Sequence, residues 1–227
     1  MIKLVTESLN DYLNPSEQTE YNDWVSNTSI KSQIYSCGGT HISETESYII
    51  NKYAKHSILD IGCGTGIRTF PFYVQNDLSF LGIEKFPNLI NDSPYKNDII
   101  QGDITLSNFK NIVDPNSYYD LTVMFGEILS SFLDSNLRNQ AFKNISYITQ
   151  NISDFIVVDA MSHFDWFYEA EEGQIIKLFK DLPPQYFYSQ KELYNLFNKY
   201  NLKIVEEKTQ LLQTENFEKT YFILKTN

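Results

Sequence analysis

The stretch that most constrains this chain is Ser57 to Phe70, which reads S-I-L-D-I-G-C-G-T-G-I-R-T-F. Ile58, Leu59 and Ile61 form a short apolar run of partly β-branched residues, the pattern of a buried strand. Gly62, Gly64 and Gly66 then place three residues without a Cβ in one turn. Beyond it Ile67, Phe70, Phe72 and Tyr73 recur near helical spacing, until Pro71 and Asn76-Asp77 blur the pattern. Strand, glycine turn and helix together let a backbone come close to a ligand. The free first amides of such a helix, with its dipole, favour an anionic group there.

The spacing of the glycines separates two kinds of ligand. A dinucleotide fingerprint, G-x-G-x-x-G/A counted from Gly62, needs Gly or Ala where the chain has Ile67. Here the glycines fall as G-x-G-x-G, preceded by Asp60 at the end of the expected strand. This stretch resembles motif I of the class I S-adenosylmethionine (SAM)-dependent methyltransferases, L-D-[IVL]-G-C-G-T-G, which Leu59 to Gly66 matches throughout.

Length and charge bound the rest. At 227 residues the chain suits one α/β domain with modest additions. Its formal net charge is −11 and its only arginines are Arg68 and Arg138, so no basic stripe suited to a nucleic-acid backbone is visible. An acidic pocket is compatible with the sulfonium cation of SAM. No apolar run approaches the ~20 residues that span a bilayer, and the N-terminus turns polar too early for a secretory signal. Two cysteines, Cys37 and Cys63, provide neither a disulfide framework nor zinc spacing. The expectation is a cytoplasmic protein with no nucleic-acid or membrane partner.

In chain order, residues 1–43 form an irregular segment with a short helix expected over 17–25, read as a lid or substrate-recognition element. Ser43-x-x-Glu46 reads as a capping box opening a helix through Tyr53. Strands are expected at 58–61, 79–83, 98–101, 119–125 and 154–159, with the clearest intervening helix at 135–150. That alternation implies a parallel sheet covered on both faces. Ser189-x-x-Glu192 is a second capping box, and two last strands, 202–207 and 219–225, follow without a helix between them. The fold class is thus α/β: a Rossmann-like three-layer sandwich whose seven-stranded, mostly parallel sheet ends in an antiparallel strand. The methyltransferase-like domain runs over 44–227, with a substrate-recognition insertion at about 160–188.

The resemblance assigns roles to particular residues. Glu84 closes the second strand, where a carboxylate accepts from both ribose hydroxyls; its bland alternative is a solvated acid. Gln101-Gly102-Asp103-Ile104 looks like the family's G-D-[IVMA] motif, giving Asp103 the adenine amino group and Ile104 the ring face. Asp60 either orients the glycine turn, with Gly62, Cys63, Gly64 and Gly66, or reaches the methionine amine. Arg68 either meets the carboxylate or faces solvent, and is left outside the expected site. The Phe125 backbone lines the methionine part, and Glu127 reaches the acceptor or His163 acts as general base, unless that histidine is only a surface or partly buried side chain. Tyr21, Trp24, Tyr35 and His41, and the aromatic cluster from Met161 to Tyr168, are further candidates for acceptor recognition or simply core.

The chain also departs from the family. It lacks [DNS]-P-P-[YF] after the fourth strand, which counts against nucleobase and glutamine-amide acceptors, and Pro183-Pro184 lies far downstream. It lacks L-x-P-G-G before the fifth strand, holding Ile148 to Asp154 there instead. Asp159 alone ends strand five, too few ligands for a metal. The implied activity is SAM-dependent methyl transfer, with S-adenosylhomocysteine (SAH) as product, to an O or N atom of a small-molecule acceptor. A protein methyltransferase, a silent SAM-binding partner subunit and, less well matched, an NAD enzyme are the alternatives.

Overall fold

Seven strands lie side by side in the order β3-β2-β1-β4-β5-β9-β8. The computed structural model describes residues 15–27, 41–114, 116–163, 173–176, 185–211 and 217–227. The strands are β1 (Ser57–Ile61), β2 (Ser79–Glu84), β3 (Ile99–Gln101), β4 (Tyr119–Met124), β5 (Ser153–His163), β8 (Leu202–Leu211) and β9 (Phe217–Thr226). β1 to β5 pair in parallel, whereas β9 runs antiparallel to both β5 and β8. The expected sheet and its antiparallel last strand are therefore present. A separate antiparallel ribbon joins β6 (Gln174–Ile176) and β7 (Gln185–Phe187).

Alternation along the strands divides the core in two, because successive side chains in a strand point to opposite faces. Ile58, Leu121, Val123, Val157 and Ile223 face one cluster, with Ile49 and Ile50 of α2 (Glu44–Tyr53) and Phe70 and Tyr73 of α3 (Phe70–Gln75). Leu59, Met124, Ile156, Val158, Phe222 and Leu224 face the other. There Phe142, Ile145 and Ile148 of α5 (Ser135–Asn151) meet Leu193 and Phe197 of α6 (Gln190–Lys199). α1 (Pro15–Asn27) and α4 (Pro87–Asn91) complete the helices named here.

Local chemistry explains the element starts. The first capping box is complete: Ser43 Oγ accepts Glu46 N–H at 3.2 Å and Glu46 accepts Ser43 N–H at 2.8 Å. The second contributes its Ser189 half, with Oγ accepting Glu192 N–H at 3.1 Å. The Glu192 carboxylate accepts instead from Gly173 N–H and the Tyr186 hydroxyl. The helix after the glycine turn begins at Phe70, not Ile67, with Pro71 in its first turn. Pro71 is thus a start and not an interruption, since the first turn needs no donor from it. Within the expected insertion, Tyr186, Phe187 and Tyr188 are core residues, and the Tyr188 hydroxyl donates to Leu129 O at 3.1 Å. Tyr35, residues 164–168 and Pro183-Pro184 lie outside the described residues, as do the side chains of Tyr21, Met161 and His163.

Candidate functional site

Strand order reverses between β1 and β4, and in an open α/β sheet the crevice beyond the carboxyl ends at such a point receives ligands. A cavity lies there, walled by the glycine turn, the ends of β2, β3 and β4, and Asn22, Trp24 and Val25 of α1. α1 is tied down by Lys85 Nζ donating to Asn22 Oδ1 at 3.4 Å and by Asn88 Nδ2 donating to Val25 O at 3.3 Å.

The turn is built from positive φ angles: 73° at Gly62, 60° at Gly64 and 72° at Gly66. A Cβ at Gly66 would lie 2.6 Å from the Phe70 ring, so this glycine lets the helix fold back onto the turn. A Cβ at Gly64 would meet nothing within 4 Å, which leaves open space over a backbone on the cavity wall. Gly66 itself does not line the cavity, whereas Gly62, Cys63 and Gly64 do.

Asp60 stands beneath the turn, 2% exposed, with Oδ2 accepting from Thr69 Oγ1 at 2.7 Å and the Tyr73 hydroxyl at 2.9 Å. Of its two sequence readings, these bonds support the one that orients the turn. Glu84 is also buried, and both its oxygens are fixed by backbone donors. Oε2 accepts Gly64 N–H at 2.9 Å and Oε1 accepts Phe86 N–H at 2.8 Å. Burial pushes its carboxyl above the ordinary range, against the pull of these N–H groups. A carboxylate has about four acceptor sites, more than these backbone donors use, so the group is aimed without being saturated.

Asp103 and Ile104 both line the cavity beyond β3. Asp103 Oδ1 accepts Thr105 N–H at 2.8 Å and Thr105 Oγ1 at 2.6 Å, while Oδ2 lies 3.2 Å from Lys85 Nζ. Phe125 lines the cavity at the end of β4, its ring edge-on to Tyr221. Glu127 does not line it. Its left-handed backbone (φ 66°) is held by Asp159, which accepts Gly126 N–H at 2.9 Å and Glu127 N–H at 2.8 Å. The Glu127 carboxylate turns instead to Lys219 Nζ at 2.9 Å. His163 ends β5 with its backbone opposite Phe217. Among the described residues, no group of three His, Cys, Asp or Glu is placed to hold a metal ion, and no helix is long and apolar enough to cross a membrane.

Sequence reasoning left Arg68 aside, yet it lines the cavity and its Nη2 contacts both oxygens of the fully buried Glu46. Phe86 and Ile128 were missed too; they follow strand ends by two and four residues, a position that carries no pattern of its own.

The buried acids give the protein an unusual pH response. Burial raises Asp60 from an ordinary 3.8 to about 6, against hydrogen bonds from Thr69 and Tyr73. Burial likewise raises Asp159 to about 6, with Lys219 pulling the other way. Both bind a proton more tightly folded than unfolded, so their contribution to stability is full below about pH 4 and lost as pH rises through about 6. Between pH 7 and 5 each adds about 1 kcal/mol. Burial would raise Glu46 as well, but Arg68 holds it below its ordinary 4.5, so its opposing contribution is lost only under more acidic conditions. The thermal midpoint is expected to be higher at pH 5.5 than at pH 7.5. A midpoint lower at pH 5.5 than at pH 7.5, measured by calorimetry, would contradict the assignment.

Comparison with known proteins bears on the fold. No protein-family model and no curated protein sequence matches the chain. Solved structures do. A SAM-dependent methyltransferase from Leishmania major superposes with a TM-score of 0.64 at 14% identity, over 97% of this chain and 87% of that one. The 1,6-didemethyltoxoflavin-N1-methyltransferase of Burkholderia thailandensis, solved with 1,6-didemethyltoxoflavin and SAH bound, gives 0.60 at 11%, over 98% and 92%. The magnesium protoporphyrin IX methyltransferase of Synechocystis, solved with SAH, gives 0.60 at 9%, over 93% and 100%. The chain has the Rossmann-like fold of the class I SAM-dependent methyltransferases.

Proposed function

We propose that the chain is a SAM-dependent methyltransferase that methylates an O or N atom of a small-molecule acceptor. The observation that carries the reading is the Glu84 carboxylate, buried and held by Gly64 and Phe86 N–H groups beside the open space over Gly64. A vicinal diol such as ribose presents two hydroxyl donors to such a group. Asp103 and Ile104 are assigned to the adenine, Gly62 to Gly64 and the Phe125 backbone to the aminoacyl part, and Asp60 and Gly66 to the shape of the turn. Small-molecule acceptors are named for the Burkholderia and Synechocystis neighbours, and that favours the same class here.

When bound, SAM supplies a methyl group already activated by its sulfonium. The chain's own task is then to fix the ligand's orientation and exclude water. The apolar side chains of Ile61, Phe86, Ile104, Phe125 and Phe132 on the cavity wall suit that task. An oxygen acceptor also requires a base. His163 and Glu127 are the two candidates, and Glu127 would have to leave Lys219 to serve.

Parallel calorimetric titrations with SAM, SAH and NAD test the cofactor. Binding of SAM and SAH but not NAD is the expected result. Binding of NAD alone, or of none of the three, would overturn the reading.

A further inference from the structure

We infer that Asn144, on α5, is a positioning residue for the cofactor's adenine: its side-chain amide holds the loop after β3 so that the Asp103 carboxylate meets the amino group of the base. This rests on the methyltransferase reading and deepens it, by naming what gives the adenine end its selectivity.

β3 is a poor support for a recognition residue. It is three residues long, stands at the edge of the sheet and pairs with β2 alone among the described strands. Asp103 lies just beyond it, and its Oδ1 accepts from the N–H and the hydroxyl of Thr105 at 2.8 and 2.6 Å. Those bonds fix the carboxylate relative to Thr105, not relative to the sheet. α5 ties Thr105 to the body of the domain. Asn144 Nδ2 donates to the carbonyls on either side of it, Ile104 O at 2.6 Å and Leu106 O at 2.8 Å. Both amide hydrogens are thereby used, and Gln140 Nε2, 3.3 Å from Asn144 Oδ1, sets which way the amide faces. Asn144 is one of the buried residues of α5, with Ala141, Phe142, Ile145 and Ile148. An amide in that company is costly unless it is bonded, and its bonds go to this loop. The same helix reaches the cavity, because Leu137, about two turns earlier, lines it together with Asp103, Ile104 and Thr105. Asp103 Oδ2 lies 3.2 Å from Lys85 Nζ. A carboxylate has about four acceptor sites, more than Thr105 and Lys85 occupy, so one is left for a ligand's N–H.

The test compares SAH with S-inosylhomocysteine, in which a carbonyl oxygen replaces the amino group of the base while the ribose and the amino-acid end are unchanged. Wild-type protein is expected to bind SAH at least about tenfold more tightly, since Asp103 otherwise faces an acceptor where it needs a donor. Asn144→Leu keeps a similar shape and removes both donors. It is expected to weaken SAH by at least about fivefold and S-inosylhomocysteine by no more than about twofold, so the preference for adenine shrinks. The retained affinity for S-inosylhomocysteine, measured on the same sample, also reports that the variant is folded. Asn144→Ala carries the test if the leucine variant does not fold, with the same split expected at about threefold for SAH. Equal weakening of both ligands, or of neither, would overturn the assignment of Asn144 while leaving the cofactor reading intact. Wild-type protein that binds the two ligands equally would remove Asp103 from the base and Asn144 with it. Wild-type protein that binds neither would remove the cofactor reading as well.

Discussion

Replacing Glu46 with alanine is expected to destabilise the fold by about 3–5 kcal/mol, the usual result of leaving one member of a buried ion pair without its partner. Glu46 is fully buried and accepts from Arg68, Ser43 and Tyr221, which belong to the glycine turn, the cap of α2 and β9. Its loss therefore undoes the capping box, strands the Arg68 guanidinium and frees a tyrosine hydroxyl in one step. For a chain of this size the thermal midpoint should fall by roughly 10 °C. The pair itself is a weaker contributor than this number suggests, because desolvating two charges offsets much of their attraction. Removing both with Glu46→Met and Arg68→Met should accordingly recover a good part of the loss. Urea denaturation of the two single variants and the double separates these terms. A Glu46→Ala variant within about 1 kcal/mol of wild type would show that water replaces the pair without penalty.

The glycine turn, the five strands of the parallel part and the long helix α5 were legible because each rests on local pattern. Ile58, Leu59 and Ile61 form an apolar run, three glycines supply the positive φ angles, and Leu137, Phe142, Ile145 and Ile148 repeat at helical spacing. What the sequence could not display depends on contacts between distant segments. Glu46 and Arg68 are 22 residues apart and meet only because α2 packs beside the turn. Glu127 looks like an acceptor-facing acid by its place after β4, yet Lys219, from the last strand, draws its carboxylate aside. Tyr188 reads as part of a loop insertion, but its burial is set by Leu129 and the aromatic ring of Phe142. Pro71 misled in the other direction, since a local rule about interruption applied one turn too early.

Glu84→Ala is expected to weaken SAH by at least about 1 kcal/mol and by as much as about 3 kcal/mol, the range for hydrogen bonds to a charged group. That is roughly a 5- to 150-fold rise in Kd. Two effects combine: the acceptor for the ribose hydroxyls disappears, and Gly64, whose N–H it holds, loses the contact that sets the turn. The fold itself should lose less than the ligand does. Burial already makes the charged carboxylate costly to keep, as its raised pKa records, and water entering from the cavity can take over the Gly64 and Phe86 N–H groups. Glu84→Gln is not a benign control, because its amide would set a donor against one of those two backbone donors. The informative comparison is therefore affinity against stability in the same alanine variant. A large loss of SAH binding with a nearly unchanged urea midpoint places the carboxylate on the ligand. Unchanged binding would remove Glu84 from the site, and with it the observation on which the methyltransferase reading most depends.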